Sequence, residues 1–251
     1  MAPSSSLVWR LRSRLGPEGR RRIRRGADAV LWPVGSVQRV AGTGDGIAFT
    51  VDDGPDPRWT QPLLELLAQH DATATFFLLA DRVRRDPAIV HDIVTAGHEI
   101  AVHGLDHTRL TTLPIREVRR RTRDARHIIE DVAQCRTRWF RPPFGAQSLA
   151  IYSTIRSLGL DVAVWGPTAE DWEDGEPAEV ADRALRRVGA GDVLLMHDGL
   201  EVPAGHLMPG FDRTEVFGIV LSGLADKGLR PASLSNLIAR GHGRRTAWFR
   251  P

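Results

Sequence analysis

The 251-residue sequence contains very little cysteine and has no long apolar run. Its single cysteine, Cys135, excludes an intrachain disulfide and a cysteine-rich zinc site. No stretch of about 18 consecutive apolar residues occurs, so the sequence predicts no membrane-spanning helix. Hydrophobic residues make up 42% and charged residues 26% of the chain, which is typical of a globular protein and argues against extended disorder. The length suits one domain, such as a single α/β barrel.

Acidic residues are nearly absent from positions 1–25, which hold eight arginines against Glu18. Because the whole chain carries only +3, the remainder is net acidic. The arginines interrupt the apolar residues here, so the segment lacks the continuous apolar core of a secretory signal. We therefore predict a basic, partly disordered extension over residues 1–43 and a cytoplasmic location, with the inner membrane surface as the alternative. Contact of this tail with anionic lipid stays open, whereas specific nucleic-acid binding is not expected.

From residue 44 onward, short apolar segments alternate with amphipathic ones. Strands are predicted over 47–51, 73–79, 98–102, 137–140, 160–165, 192–196 and 229–232. Helices are predicted over 62–70, 86–97, 114–133, 149–158, 178–188, 214–226 and 234–240. Such alternation implies a parallel sheet, and about seven units in this length predict an α/β barrel over 44–243, followed by a short tail over 244–251.

Side chains suited to catalysis or metal binding follow five of the predicted strands. In chain order they are Asp52, Asp53, His103, His107, Arg141, Asp171, Trp172 and His197. The carboxyl ends of barrel strands form one face of the fold, and active-site loops lie there. We therefore expect these side chains to meet in one site. The loop over 199–213 is expected at the mouth of that site, where His206 could contact substrate.

The spacing of two histidines indicates a metal centre. His103 and His107 are four positions apart, so both imidazoles can bind one Zn²⁺ from a helical turn. The spacing alone is a weak signal, but Asp53 would complete a site of two histidines and one carboxylate with open positions, as in hydrolytic zinc centres. Its neighbour Asp52 would then face the water bound to the ion. The alternative interpretation, a simple turn at Gly54, does not account for the histidines.

These residues belong to five segments that occur in a fixed order. They are Asp52-Asp53-Gly54, His103-x-x-x-His107, Arg141-Pro142-Pro143-Phe144-Gly145, Asp171-Trp172 and Leu194-x-x-His197. The set resembles the five motifs of the polysaccharide deacetylase family, also called the NodB-homology domain or carbohydrate esterase family 4. The resemblance covers about residues 46–240. It implies a distorted (β/α)₇ barrel and a metal-dependent hydrolase that removes N-acetyl groups from an N-acetylated sugar or glycan.

The resemblance also implies a metal site and a base. Asp53, His103 and His107 would bind one divalent ion, Zn²⁺ in the first place, with Co²⁺, Ni²⁺ or Mn²⁺ as alternatives. Asp52 would act as the general base. Arg141 would orient that carboxylate.

Further roles concern the acid and the acyl pocket. The resemblance makes His197 the general acid and Asp171 its partner. Phe144 would offer its backbone N–H to the oxyanion, and Trp172 and Leu194 would line the pocket for the acetyl methyl group.

Three positions depart from the family pattern: Gly104 replaces a serine or threonine, Val51 a phenylalanine and Thr168 an aspartate. Every implied ligand and acid–base position is present, so an active enzyme is expected. The alternatives that stay open are a deacylase or deformylase of a lipid-linked aminosugar or other small amide, and an O-acetyl esterase. A non-catalytic binding protein is disfavoured by the complete residue set.

Overall fold

The computed structural model describes residues 34–201 and 208–250. The strands are β1 Ser36–Ala41, β2 Gly46–Asp52, β3 Thr75–Leu79, β4 Glu99–Gly104, β5 Trp139–Phe140, β6 Asp161–Val162, β7 Val193–His197, β8 Arg230–Ala232 and β9 His242–Thr246. The helices are α1 Thr60–Gln69, α2 Ala80–Arg85, α3 Pro87–Thr95, α4 Ile115–Ala133, α5 Leu149–Ser157, α6 Pro177–Leu185, α7 Arg213–Asp226 and α8 Leu234–Arg240. None of these helices combines the length and apolar character needed to cross a bilayer.

Seven parallel strands form the main sheet, in the order β6-β5-β4-β3-β2-β7, with β8 paired to the start of β2. The sheet closes irregularly between β6 and β7. There the chain after β6 runs beside β7, where the Gly166 N–H donates to Val193 O at 2.9 Å and the Leu195 N–H to Pro167 O at 3.1 Å. The predicted distorted (β/α)₇ barrel is thereby confirmed.

Several elements differ from the sequence-based prediction, β6 and α2 among them. Strand β6 has two residues rather than the six predicted over 160–165, because the Val164 N–H donates to Val37 O of β1 at 2.8 Å and the chain leaves the β5 ladder. Helix α2 was not predicted. It has only six residues and buries only Ala80 and Val83. Such a short segment shows no recognisable helical periodicity in the sequence.

The predicted domain boundaries at residues 44 and 243 need correction. Strand β1 pairs antiparallel with β9, so the fold continues across both boundaries. Val37 and Val40 of β1 are each 1% exposed and pack in a core cluster with Trp139. Residues 36–41 therefore form a separate two-stranded sheet with β9 that packs on the barrel, because their alternate side chains complete its core. The arginine-rich part of the predicted extension, up to residue 33, lies outside the described residues.

Alternation along the strands divides the core and positions the site. Phe49 and Val51 of β2 pack in the larger cluster, between the sheet and the helices, whereas Ala48 belongs to the second cluster with Trp139. Because side chains alternate along a strand, Thr50 and Asp52 lie on the same side as Ala48. The strand thus carries its last side chain, Asp52, to the carboxyl end of the barrel interior.

Candidate active site

The predicted residues meet at the carboxyl ends of β2, β4 and β7. Asp52 ends β2 and His197 ends β7, and these two residues are direct neighbours in the parallel ladder. His103 lies near the end of β4. A cavity of about 620 Å³ opens at this point, and its lining includes Asp52, Asp53, His103, His107 and His197. The structure thus brings these five predicted side chains to one cavity.

Three side chains form a ligand set for a metal ion. The ligand atoms of Asp53, His103 and His107 all lie within 4.8 Å of one another, with Asp53 Oδ1 3.2 Å from His103 Nε2 and 3.5 Å from His107 Nε2. Asp53 Oδ1 is buried and accepts no hydrogen bond from the described residues. A buried carboxylate oxygen facing two imidazole nitrogens fits a divalent cation, because the ion would satisfy all three groups.

The backbone conformation of Asp53 and a hydrogen bond to His103 orient these two ligands. Asp53 has φ 73°, which turns its carboxylate away from the direction it would take in a continued strand. His103 Nδ1 donates to the carbonyl of Arg141 at 2.9 Å, and its Nε2 faces the site, 3.2 Å from Asp53 Oδ1. Such an outer contact orients a metal-binding imidazole and fixes its tautomer.

The protonation states of the ligand set suit a cation. Burial lowers the pKa of His107 to about 4, so this ring is neutral near pH 7. Burial opposes ionisation of Asp53, but its interactions with the neighbouring rings of His103 and His107 hold its pKa below the ordinary value. A carboxylate and neutral imidazoles are the forms that bind metal ions.

Asp52 is held by a fully buried arginine. Arg141 Nη1 donates to Asp52 Oδ1 at 2.6 Å and to Thr50 Oγ1 at 2.9 Å. The guanidinium also stacks over the Phe77 ring, 4.0 Å from its centroid. The second carboxylate oxygen, Asp52 Oδ2, lies 3.8 Å from His103 Nε2. Arg141 therefore holds one oxygen of Asp52 while the other faces the metal-ligand group, as a base acting on water there requires.

His197 is supported by Asp171 and by a residue that sequence reasoning missed. Asp171 Oδ1 accepts from His197 Nδ1 at 2.7 Å, and Asp171 Oδ2 accepts from the backbone N–H of His197 at 2.9 Å. Arg213, the first residue of α7, donates to Asp171 Oδ2 at 3.0 Å and to the carbonyls of Asp171 and His197. Nothing in the sequence marks Arg213, because it follows a long loop and belongs to none of the five motifs.

These contacts keep the imidazole of His197 protonated. Burial works against the charged ring, but the charge and hydrogen bond of Asp171 raise the pKa of His197 to about 9. Burial also opposes ionisation of Asp171, and the charges of His197 and Arg213 outweigh it, so its pKa lies below the ordinary value. The ring Nε2 is thus a proton donor near neutral pH.

Aromatic and aliphatic side chains complete the cavity. The ring of Trp172 stands edge-on to His197 with centroids 5.6 Å apart, and the ring of Phe144 lies 4.2 Å from that of His107. The prediction for Leu194 is wrong. This side chain is fully buried in the cluster between sheet and helices, whereas Leu195 lines the cavity. The reason is the two-residue period of a strand: Leu195 shares a face with His197, and Leu194 does not.

The turn after β5 carries the predicted oxyanion donor. Phe144 has φ 59° and Gly145 has φ 61°, so two successive residues adopt left-handed backbone conformations within the 3₁₀ turn Pro143–Gly145. A Cβ at Gly145 would lie 2.7 Å from Trp165 Cη2, which also lines the cavity. This close approach explains the glycine that follows Phe144.

One departure from the family pattern has a structural reason. Gly104 has φ 152°, and a Cβ there would lie 2.8 Å from the carbonyl oxygen of Asp106. A serine or threonine would be strained in this local conformation. At the other departures, Thr168 accepts a hydrogen bond from the Glu170 N–H and Val51 packs in the core.

The loop predicted at the mouth of the site is partly described. Leu200, Glu201, Met208 and Pro209 line the cavity, as expected for this loop. His206, the residue predicted to contact substrate, lies outside the described residues.

Comparisons with known proteins identify the family of this chain. A family model described as polysaccharide deacetylase matches residues 39–163. The chain is 35% identical to a peptidoglycan-N-acetylmuramic acid deacetylase of Bacillus subtilis over 61% of this chain and 32% of that protein. It is 32% identical to a chitooligosaccharide deacetylase of Sinorhizobium fredii over 63% of this chain and 75% of the relative. The chain therefore belongs to the polysaccharide deacetylase family.

A solved structure extends the comparison to the fold. The Bc1960 peptidoglycan N-acetylglucosamine deacetylase, crystallised with a hydroxamate ligand, superimposes with a TM-score of 0.75 at 25% identity. The superposition covers 84% of this chain and 96% of that one. In contrast, the chain spans only about a third of the length of the Bacillus subtilis relative.

Proposed function

We propose that this protein is a metal-dependent hydrolase that removes N-acetyl groups from an N-acetylglucosamine-containing glycan. One observation carries the proposal. A single cavity brings together the metal-ligand set of Asp53, His103 and His107, the Arg141-bound carboxylate of Asp52 and the Asp171-bound imidazole of His197. A base and a protonated acid beside one metal site are the groups that amide hydrolysis requires.

Asp53, His103 and His107 would hold the ion, with Zn²⁺ as the proposed metal. When bound, a divalent ion supplies Lewis-acid polarisation of the amide carbonyl and lowers the pKa of a water molecule. One carboxylate and two imidazoles match the ligands of catalytic zinc sites, which keep a position open for water or substrate.

The side chains of this protein perform the proton transfers. Asp52 accepts a proton from the attacking water through Oδ2, while Arg141 holds Oδ1 in place. The backbone N–H of Phe144 donates to the oxygen of the tetrahedral intermediate, where negative charge develops. His197 then gives its Nε2 proton to the leaving nitrogen, since an amine leaves far more readily than its anion. Asp171 and Arg213 fix the ring so that Nε2 faces the cavity.

The test is acetate release from N-acetylglucosamine oligomers of graded length by zinc-loaded protein. We expect release that a chelator abolishes and zinc restores. Asp52→Asn should retain zinc, and its kcat should fall about 10²–10⁴-fold, the usual contribution of a general base. Asp182→Asn is the matched control, because its exposed carboxylate pairs with Arg186 on α6, away from the cavity. Full activity of Asp52→Asn would remove Asp52 as the base.

The same assay separates the alternatives. No acetate release from folded, zinc-replete protein would contradict the proposed glycan substrate. N-formyl, O-acetyl and lipid-linked aminosugar substrates, tested with the same variants, would then show whether the site acts on another acyl group. We also propose a cytoplasmic location, with the inner membrane surface as the alternative. Liposome flotation with and without residues 1–33 tests that alternative, and equal flotation would contradict it.

A further inference from the structure

The C-terminal segment 246–250 reaches the turn that carries Phe144. Trp248 is 4% exposed, and its Nε1–H donates to the carbonyl of Gly145 at 3.0 Å. Its ring also packs against Trp165, with centroids 5.2 Å apart, and Trp165 itself lines the cavity. The indole therefore contacts both the turn and a wall of the cavity.

Further hydrogen bonds fasten the same segment to the end of the turn. The backbone N–H of Gln147 donates to Arg250 O at 2.8 Å, and the Arg250 N–H donates back to Gln147 O at 3.0 Å. The Gln147 side chain donates to Trp248 O at 2.8 Å and to Ser36 Oγ at 2.7 Å. The guanidinium of Arg250 lies over the Trp248 ring, 3.6 Å from its centroid. The segment is thus tied to both β1 and the loop after β5.

The turn needs such support because its backbone is strained. Phe144 adopts φ 59°, a left-handed conformation that is unfavourable for a residue with a side chain and persists only where the surroundings enforce it. The hydrogen bond from Trp248 is made to the very next residue, Gly145. The ring of Phe144 is 47% exposed, so its own packing supplies only part of the constraint.

We propose that Trp248 is a positioning residue of the active site. It holds the turn Pro143–Gly145, and through it the backbone N–H of Phe144, at the end of the cavity where the acyl oxygen binds. The proposal rests on the proposed function for the role of that N–H. It also assigns a positioning role to Trp248, which lies beyond the part of the chain that the family model matches.

The test is Trp248→Phe, which removes the Nε1–H donor and keeps an aromatic ring against Trp165. We expect kcat for acetate release to fall about tenfold or more, since a displaced oxyanion donor loses much of its stabilisation, while KM stays within about twofold. Zinc affinity should be unchanged because the ligands lie outside the turn. Phe249→Leu is the control: it alters the same segment at a ring that packs on Tyr152, and kcat should stay within about twofold.

A second variant and a second readout keep the outcomes distinct. Gly145→Ala would place a methyl group 2.7 Å from Trp165 Cη2 and 3.1 Å from Trp248 Nε1 at a φ of 61°, so it perturbs the same turn and should also lower kcat with little change in KM. Amide hydrogen exchange of residues 144–146 should accelerate in Trp248→Phe and not in Phe249→Leu, whether or not the wild-type protein releases acetate. Failure of the proposed function therefore appears as inactive wild-type protein with the exchange effect intact. Unchanged exchange and unchanged kcat in folded Trp248→Phe would overturn the positioning role.

Discussion

Replacing Asp171 with asparagine should move the pH dependence of catalysis in a predictable direction. His197 must be protonated to act as the acid, and Asp171 is the main group that raises its pKa to about 9. In Asp171→Asn, burial would act on the imidazole against only the weaker remaining effects of the Asp53 and Asp52 charges. We therefore expect the pKa of His197 to fall to about its ordinary value of 6.5.

The size of the effect follows from these two values. At pH 7.5 a group with a pKa of about 9 is about 97% protonated, whereas one with a pKa of 6.5 is about 9% protonated. Loss of the protonated acid alone should lower kcat about tenfold at pH 7.5. At pH 6 about three quarters of the variant's His197 would be protonated on the same basis, so the deficit should shrink severalfold.

The assay is a pH–rate profile of kcat for acetate release between pH 5.5 and 10 with zinc-loaded protein. The alkaline limb of Asp171→Asn should lie at least about two pH units below that of the wild-type protein. This difference is on the order of the pKa shift that Asp171 causes in His197. Asp182→Asn, an exposed carboxylate paired with Arg186, should leave the limb in place. An alkaline limb that stays where it is in Asp171→Asn would refute the assignment of His197 as the acid held by Asp171.

The same pKa has a consequence for the stability of the metal-free protein. The folded-state pKa of His197 is raised from 6.5 to about 9, which corresponds to at most about 3 kcal/mol. Because the folded-state value is the higher one, this contribution is fully present below pH 6.5 and is lost as the pH rises through about 9. Urea unfolding should show the loss in wild-type protein, and Asp171→Asn should show a much smaller change over that range.

Two further predictions concern the metal ligands and the missed arginine. Asp53→Ala should abolish zinc binding, measured by calorimetry, while the fold is retained by circular dichroism, because Asp53 Oδ1 faces both histidines; tight zinc binding by this variant would contradict the ligand assignment. Arg213→Met should lower kcat and shift the alkaline limb of the pH–rate profile to higher pH, because removing a cation beside Asp171 favours the protonated form of His197. Arg213→Lys should restore part of kcat. An alkaline limb that moves to lower pH in Arg213→Met would contradict the geometry.

The sequence predicted the site better than it predicted the edges of the fold. The proximity of Asp53, His103 and His107 could be predicted because metal ligands are restricted in residue type and because strand ends in a barrel converge. Strand β1 was not identified because its apolar residues Val37 and Val40 are interrupted by polar ones and follow Gly35. Strand β1 is stabilised by pairing with β9 and by a bridge between Val37 and Ala163. These partners are distant from β1 in sequence, so the sequence does not reveal them.

Residues that act through another side chain were the hardest to predict. Arg213 and Trp248 make their contacts to Asp171 and Gly145 across 42 and 103 positions of sequence. Neither residue type carries a signal by itself, since arginine is abundant in this chain and a buried tryptophan is usually a core residue. Their roles emerge only when the backbone brings the partners together.

The exchange of Leu194 for Leu195 as the pocket residue can be tested directly. Leu194→Ala should cost about 2–5 kcal/mol of unfolding free energy by leaving a cavity between sheet and helices, with acyl preference unchanged. Leu195→Ala should enlarge the active-site cavity and raise the ratio of kcat/KM for N-propionyl over N-acetyl substrates about tenfold, the value of roughly one methylene in an apolar pocket. Altered acyl preference in Leu194→Ala, with Leu195→Ala unaffected, would contradict the strand register that places Leu195 beside His197. Comparing the two variants separates stability from specificity, because adjacent residues of one strand face the two different layers of the barrel.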